Sequence, residues 1–353
     1  MRTQRSLRAL RLIMCALLTL TAAPVQRLLA EHAFVPGAVW RDSEGIAINA
    51  HGAGFLYSAG TYYWYGEFKT AGRGGNVANV GFSCYSSRDL YHWKNEGIAL
   101  RVSDDPSSDI VKGSILERPR VLYNSLTRQY VMWFHLELKG EGYRAARVGV
   151  PVSGRATGPF EFLKSFRPDG EMSRDMTLFE DEDGKAYLLA ASEENQTLHV
   201  SQLSEDYLST SGPWKRIFIG EALEAPTILR FKEKYYFVGS HCTGWAPNAA
   251  YAAVADSIWG PWKPLGNPSA GPNAALTFLA QGAYLLPVHG QQGQYIFAAD
   301  RWNPEDPING RYVWLPVEFT HGTLVIRWRD KWQLRDFASL QKVTTQAALP
   351  AAH

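Results

Sequence analysis

Cysteine, net charge and long hydrophobic runs are all scarce in this chain of 353 residues. Its three cysteines, Cys15, Cys84 and Cys242, lie far apart, which excludes a scaffold built on disulfides and a zinc site of paired cysteines. The 36 Lys and Arg residues nearly balance the 34 Asp and Glu residues, so charge-driven binding to nucleic acid is not expected. A bond between Cys84 and Cys242 and two free thiols are equally open alternatives, and no metal or other cofactor is expected.

The first thirty residues have the composition of a signal peptide. They contain five arginines and no acidic residue, and an apolar run follows from Leu12 to Ala23. That run is about a dozen residues, shorter than the roughly twenty that span a bilayer, so a permanent anchor is the weaker interpretation. We therefore expect a signal peptide over residues 1–30 and a secreted or periplasmic protein that is monomeric and has no membrane partner. No Pro- or Ser-rich linker divides residues 31–353, which predicts a single domain there.

Aromatic residues, by contrast, are abundant, with 12 Trp, 17 Tyr and 16 Phe. Many fall in a pattern that occurs five times: an apolar strand, a turn, and a Tyr that opens a second aromatic or β-branched strand. Their mean separation of about 58 residues suits four short strands with their loops. Long segments of helical period are absent, so the repeat predicts an all-β, five-bladed β-propeller, with a two-sheet sandwich as the alternative. The five tyrosines are Tyr63, Tyr130, Tyr187, Tyr236 and Tyr295.

Two further patterns concern the edges of the predicted blades. The C-terminal segments RYVWLPVEF and TLVIRWRDKWQL are expected to complete or close the last blade. In three units the third strand leads into a Gly-Pro-aromatic turn, and we expect these turns to be equivalent corners. They are Gly158-Pro159-Phe160, Gly212-Pro213-Trp214 and Gly260-Pro261-Trp262.

Four polar residues occupy corresponding places before the first strand of the second to the fifth unit. They are Glu117, Asp175, Glu224 and Gln281. Because the inner strands of a propeller converge on a central channel, residues in register can meet in one pocket. Taken singly, each could be a loop residue that caps a turn, but four in register favour a functional site.

Convergent carboxylates suit the hydrolysis of glycosidic bonds. That reaction needs a carboxylic acid to protonate the leaving oxygen, and inversion needs a second group to activate water across the sugar ring. Glu224, followed by Ala-Pro and an apolar strand, would be the acid. A neighbouring Asp175 carboxylate could raise the pKa of Glu224 through like-charge repulsion.

These motifs resemble glycoside hydrolase family 43 over about residues 40–330. The resemblance implies a five-bladed propeller that acts on plant polysaccharides with inversion and carries three acids. Asp175, ahead of DEDGKAYL, and Glu224, in EAP, match two of the three. The base Asp of the first blade is missing, and His51 stands in its place.

Without that base, the motifs AHGAGFLY, TYYWYGE, ERPRVLYN and CTGWAPN resemble the exo-β-1,3-galactanase branch of the family, subfamily 24. The resemblance implies that Gln281 takes over water activation as a tautomeric imidic acid, assisted by Glu117. It also implies that four residues contact the sugar: Glu67, Tyr143, Thr243 and Trp245.

The expected function is therefore that of an exported, inverting exo-β-1,3-galactanase whose substrate is the β-1,3-galactan backbone of arabinogalactan. One alternative is a β-galactofuranosidase or an α-L-arabinofuranosidase of the same family. Another is a propeller that binds carbohydrate without hydrolysing it, an interpretation that the missing base Asp encourages.

Overall fold

The computed structural model describes residues 32–340, and in that range the regular structure is almost entirely β-strand. The strands form five sheets in chain order, each a blade of a β-propeller. The predicted five-bladed propeller is confirmed, and the two-sheet sandwich is wrong. The predicted signal peptide lies outside the described residues, and within 32–340 no helix has the length and apolar character needed to cross a membrane.

The first four blades contain four antiparallel strands each, paired in sequence order. Blade 1 comprises β1 (His51–Ser58), β2 (Thr61–Lys69), β3 (Asn79–Ser87) and β4 (Lys94–Arg101). Blade 2 comprises β5 (Ile115–Asn124), β6 (Gln129–Glu137), β7 (Arg147–Ser153) and β8 (Glu161–Phe166). Blade 3 comprises β9 (Met176–Glu180), β10 (Ala186–Ser192), β11 (Thr197–Leu203) and β12 (Thr210–Ile217). Blade 4 comprises β13 (Leu223–Phe231), β14 (Lys234–His241), β15 (Ala250–Ala255) and β16 (Lys263–Gly266).

Blade 5 has an added edge strand. Its members are β17 (Ser269–Ala270), β18 (Gln281–Pro287), β19 (Tyr295–Arg301), β20 (Arg311–Thr320) and β21 (Thr323–Arg327). The short β17 pairs in parallel with β21 at the outer edge, while the other pairs are antiparallel. The two C-terminal segments thus complete the last blade, as predicted. Short 3-10 helices connect the strands at Gly75–Ala78, Pro168–Gly170, Ala274–Leu279, Pro307–Asn309 and Leu334–Asp336.

The first strands of the five blades form a closed ring around the channel. Strand β1 contacts β5 and β18, β9 contacts β5 and β13, and β13 contacts β18. Inner strands are covered on both faces, so they are apolar runs, as in VMWFHLE of β6, which is buried from Val131 to Glu137. Outer strands such as β8 (EFLKSF) carry charged side chains and stay largely exposed.

Five clusters of buried side chains lie between the blades, one at each junction. The junction between blades 5 and 1 is the richest in tryptophan: Trp64, Trp93, Trp314 and Trp332 are each at most 1% exposed. Rings of this size bury large apolar areas and meet edge to face or tilted, as Trp64 does with Trp93 and Trp314. The abundance of aromatic residues therefore serves mainly to fill the junctions.

The two ends of the described chain meet at this same junction. Phe34 and Trp332 form an isolated antiparallel bridge, with their backbone N–H groups donating to each other's carbonyls at 2.8 and 3.1 Å. Their rings pack at a centroid distance of 4.6 Å. The indole Nε1 of Trp332 also donates to the carbonyl of Trp314 at 2.8 Å, which ties the C-terminal segment to β20.

A buried arginine fills the axis of the ring. The guanidinium of Arg120 in β5 donates to the carbonyls of Gly52, Ala53, Pro119 and Ala283 and to Oγ1 of Thr177, so it joins blades 1, 2, 3 and 5. Burial, followed by the nearby positive charge of Arg118, lowers the pKa of Arg120 to about 10. It stays charged at neutral pH because its donors are satisfied by main-chain oxygens.

Two sequence predictions need comment. Gly158-Pro159-Phe160 and Gly260-Pro261-Trp262 do form corners before β8 and β16, each with a cis Gly-Pro bond. Gly212-Pro213-Trp214 is not an equivalent corner, because it lies inside β12, where Gly212 and Pro213 belong to a bulge and Trp214 pairs with Ser201 of β11. The open question about the cysteines is answered by two free thiols, one buried at Cys84 and one exposed at Cys242.

Replacing Trp332 by Ala should destabilise the propeller by about 3–5 kcal/mol, because it leaves a cavity between blades 5 and 1 and removes a buried hydrogen bond. The free energy of unfolding by urea is the measurement. Leu126→Ala is the control, since Leu126 is 71% exposed and the expected change is within about 0.5 kcal/mol. Equal stability of the two variants would show that the Trp332 side chain does not stabilise the junction between blades 5 and 1.

Candidate active site

A cavity of about 450 Å³ opens at the mouth of the channel where the first strands begin and the second strands end. Antiparallel pairing places these two sets of residues at the same end of every blade. The cavity is lined by Glu67, Lys69, Asn76, Glu117, Arg118, His135, Tyr143, Arg174, Asp175, Asn195, Glu224, Cys242, Gly244, Trp245, Gln281 and Trp302. Seven of the eight predicted site residues are among them.

Bulges in the first strands bring the predicted residues into the cavity. A register break follows Glu117 in β5, and the next residue, Arg118, has a φ of 55°. A second break follows Glu224 in β13, and the next residue, Ala225, has a φ of 50°. The same break follows His51 in β1, where Gly52 has a φ of 66°. A bulge re-aims a side chain and is common beside active sites. The sequences ERP, EAP and HGA are therefore three copies of one local structure.

Glu224 and Gln281 are in direct contact. The amide Nε2 of Gln281 donates to Oε1 of Glu224 at 2.8 Å and to Oγ of Ser240 at 3.0 Å. Its Oε1 accepts from Nη2 of Arg118 at 2.6 Å and from Nε1 of Trp302 at 2.9 Å. Both of these partners can only donate, so they favour the amide over the imidic acid, whose O–H would point at donors.

Arg118 holds three blades together at the cavity floor. It contacts Oδ2 of Asp175 through Nε at 3.1 Å and through Nη2 at 3.0 Å, and it donates to the carbonyl of Gly282. The same Oδ2 accepts the backbone N–H of Ala225 at 3.0 Å. Although burial opposes ionisation, Arg118 and then His135 hold the pKa of Asp175 well below its usual value. Asp175 is thus a fixed anion beside Glu224.

Glu224 has the electrostatics of a general acid. Burial raises its pKa, the Asp175 carboxylate raises it further, and Arg118 and the Gln281 amide oppose them, with a result of about 7. The effect of Asp175 has the direction that the sequence predicted, although burial is the larger cause. A carboxylic acid with a pKa near neutrality can hold its proton until the leaving oxygen takes it.

Glu117 belongs to a second network, built around a buried histidine. Oε1 of Glu117 accepts the hydroxyl of Tyr143 at 3.0 Å, and Oε2 lies 3.2 Å from Nδ1 of His135. The other ring nitrogen, Nε2, contacts the fully buried Glu137 at 2.8 Å. Burial lowers the pKa of His135, but contacts with Asp175, Glu117 and Glu137 outweigh it and raise the pKa well above the usual value.

Glu67 and Trp245 are joined by a buried lysine. Nζ of Lys69 lies 2.7 Å from Oε2 of Glu67, and both side chains are 2% exposed. The same ammonium sits 5.8 Å from the ring centroid of Trp245 and 5.6 Å from that of Trp302, within the range of cation–π attraction. The ion pair of Glu67 and Lys69 therefore holds the ammonium group close to both indole rings. Trp245 is 36% exposed and presents a free surface at the rim.

Thr243 is the predicted residue that does not line the cavity. Its hydroxyl donates to the carbonyl of Ala246 at 2.6 Å and accepts from Nδ2 of Asn248 at 2.7 Å, so it shapes the loop that carries Trp245. His51 is a channel residue, buried against Asp300 with Nδ1 at 3.0 Å from Oδ1 and stacked on Tyr312.

Nine of the sixteen cavity residues were not predicted as part of the site, and four of them contact predicted residues: Lys69, Arg118, His135 and Trp302. Arg118 follows Glu117 directly, so the bulge pattern could have identified it. His135 and Lys69 end second strands, and the same register argument applied to those strands would have found them. Of the described residues, Glu117, His135 and Asp175 also lie close enough together to hold a metal ion in this cavity.

Comparison with known proteins gives a consistent result. The family model for glycosyl hydrolases family 43 matches residues 53–274. A solved family 43 β-1,3-galactosidase with galactodeoxynojirimycin is 43% identical, with a TM-score of 0.83 over 85% of this chain and 100% of that chain. A second family 43 β-1,3-galactosidase is 38% identical, with a TM-score of 0.83 over 88% of this chain and 65% of that one.

An exo-β-1,3-galactanase from Phanerochaete chrysosporium, solved with β-1,3-galactotriose, is 34% identical, with a TM-score of 0.79. The match covers 86% of this chain and 68% of that one. This chain therefore spans about two thirds of the length of the second and third relatives. No curated protein sequence matches it.

The raised pKa of Glu224 can be measured directly. In protein labelled with ¹³C at the glutamate carboxyl carbons, one resonance should titrate near pH 7, and it should be absent from Glu224→Gln. Asp175→Asn should move that titration to lower pH, because it removes the anion that disfavours ionisation of Glu224. A Glu224 resonance that titrates near 4.5 would contradict the assignment.

Proposed function

The chain belongs to glycosyl hydrolases family 43, and we propose that it is an inverting exo-β-1,3-galactanase that releases galactose from the β-1,3-galactan backbone of arabinogalactan. The observation that carries the proposal is Glu224, a carboxyl group with a pKa of about 7 that faces a cavity of sugar size beside the anion Asp175. The names of the similar structures, two β-1,3-galactosidases and an exo-β-1,3-galactanase, supply the sugar and linkage.

Glu224 is the general acid of this reaction. Its proton is retained at neutral pH and passes to the glycosidic oxygen as the bond to the anomeric carbon breaks. Asp175, held ionised by Arg118, stabilises the positive charge that develops on the sugar ring. Activity should therefore decline above about pH 7, as Glu224 loses its proton.

Gln281 and Glu117 act on the attacking water. The amide of Gln281 is fixed by four hydrogen bonds, which suits a positioning role. Its contact with Glu224 must open when a sugar enters, because inversion requires room for the ring and the water between the acid and the group across from it. Oε1 of Glu117 accepts the Tyr143 hydroxyl and Oε2 lies 3.2 Å from Nδ1 of His135, so the carboxylate that would take the water proton is held from two sides.

The rim holds the terminal galactose. The exposed indole of Trp245 offers a flat surface to the apolar face of the sugar, while Glu67 and Tyr143 provide polar contacts at the wall. Thr243 acts on the sugar through the loop conformation of Trp245. The protein works as an exported monomer without a membrane partner, in keeping with the signal-like composition of residues 1–30.

Glu224→Gln should lower the release of galactose from β-1,3-galactan by about 10²–10⁴-fold, because the variant cannot donate a proton. Product analysis by proton NMR should show α-galactose first, since inversion of a β linkage gives the α anomer. Aryl arabinofuranoside and galactofuranoside are the control substrates. Preferential cleavage of either, or binding of galactan without any cleavage by the wild type, would overturn the proposal.

Gln281→Ala should lower turnover by at least about 100-fold while the affinity for galactan oligosaccharides is retained, because the residue positions water rather than the sugar. Ser240→Ala is the matched comparison, since it removes only a hydroxyl that accepts from Gln281 and should cost less. Loss of binding with intact turnover of the bound substrate would show that Gln281 is a sugar ligand instead.

A further inference from the structure

Three side chains in the cavity each direct one polar atom toward a common point. These atoms are Oε2 of Glu117, Nδ1 of His135 and Oδ1 of Asp175, and they lie within 4.8 Å of one another. His135 is 1% exposed, and its Nδ1 makes no hydrogen bond within residues 32–340. A buried nitrogen left without a partner and aimed between two carboxylates indicates a missing ligand.

The two distances from the histidine nitrogen to the carboxylate oxygens suit a small cation. Nδ1 of His135 lies 3.2 Å from Oε2 of Glu117 and 3.8 Å from Oδ1 of Asp175. An ion about 2.1 Å from each atom would see these separations at angles of about 100° and about 130°, on either side of the tetrahedral angle of about 109°. Imidazole with two carboxylates is a donor set that zinc accepts, with a fourth position left for water.

Each of the three residues is held by its other polar atom. The hydroxyl of Tyr143 fixes Oε1 of Glu117, Glu137 contacts Nε2 of His135, and Arg118 with the backbone of Ala225 fixes Oδ2 of Asp175. A carboxylate behind a ligating histidine is the usual arrangement around zinc, where it orients the ring and increases its basicity. The free atoms are thereby preorganised toward a common point.

Charge balance favours a divalent ion. Glu117, Glu137 and Asp175 surround His135, and among the described cations only Arg118 forms a further ion pair with them. With Arg118 counted, Glu117, Glu137 and Asp175 therefore keep two negative charges when the imidazole binds a metal ion in place of its proton. A divalent cation at Nδ1 would balance them, and buried charges need such compensation.

We propose that Zn²⁺ binds in this cavity to Glu117, His135 and Asp175. The ion would occupy the cavity floor and engage two carboxylates of the hydrolytic site, so it would inhibit the enzyme in competition with the sugar. The inhibition rests on the proposed function, whereas the binding does not.

The test uses the full-length protein after treatment with a chelator. Co²⁺, added as a spectroscopic stand-in for zinc, should give one equivalent of visible absorption of tetrahedral type, and Zn²⁺ should displace it. Calorimetry with Zn²⁺ should give one binding site. Its affinity for Zn²⁺ should fall at least about tenfold in Glu117→Gln and about 10–100-fold in Glu137→Gln. Glu117→Gln conserves shape, so it remains informative if substitutions of the buried His135 fail to fold.

A second group of residues provides the control. His32, Asp89 and His92 also lie close together, at a surface site of the described chain. His92→Asn should leave the absorption, the stoichiometry and the inhibition by Zn²⁺ unchanged. An unaltered Co²⁺ spectrum in Glu117→Gln, or its loss in His92→Asn, would overturn the proposal.

The experiments can refute the zinc site and the proposed galactanase function independently. If the metal-free enzyme hydrolyses galactan but takes up no Co²⁺, the zinc site is refuted and the proposed function stands. If Co²⁺ binds as described but no galactan is cleaved under any condition, the proposed function is refuted. If Zn²⁺ binds and galactose does not weaken its binding, the competitive inhibition is refuted.

Discussion

The structure depends on the compensation of charge at the axis where five first strands meet. No sheet covers the channel, and the polar groups there are too deeply buried for water to solvate them all, so they must satisfy one another. Two arginines of β5 provide most of the hydrogen bonds and positive charge that these buried groups need. Arg120 binds main-chain oxygens of neighbouring blades and closes the axis, and Arg118 binds Asp175 and Gln281 on the cavity side.

The chemistry of the site follows from that compensation. Arg118 keeps Asp175 ionised, and burial together with the ionised Asp175 raises the pKa of Glu224 to about 7. Two carboxyl groups of similar intrinsic acidity are thus given very different pKa values by their surroundings. Arg118 lowers the pKa of both groups, and it contacts Asp175 directly through two nitrogen atoms.

Sequence reasoning was successful where the structure repeats and failed where it does not. The tyrosines at each second strand and the polar residues at each first strand are determined by blade position, so a period of about 58 residues was enough to predict the propeller and to bring Glu117, Asp175, Glu224 and Gln281 together. His135 and Lys69 lie at or near the ends of second strands, so the same register argument identifies them only when it is extended from the first strands to the second.

The failures have local causes. Gly212-Pro213-Trp214 matches the corner motif but lies within a strand, because β12 bulges between Thr210 and Trp214 and resumes its pairing with β11 at Trp214. Thr243 stays a predicted sugar contact, and the structure adds that its hydroxyl bonds within its own loop. Hydrogen-bond partners that come from distant loops cannot be read from a motif.

The junction that Phe34 and Trp332 bridge affects how the chain folds during its synthesis on the ribosome. The tryptophan-rich face of blade 1, which ends at Arg101, has no partner until the strands of blade 5 have been synthesised, and the first of those on this face begins at Gln281. During that interval the nascent chain exposes an aromatic surface that favours aggregation. Chaperones or rapid translation of the last blade would limit this aggregation.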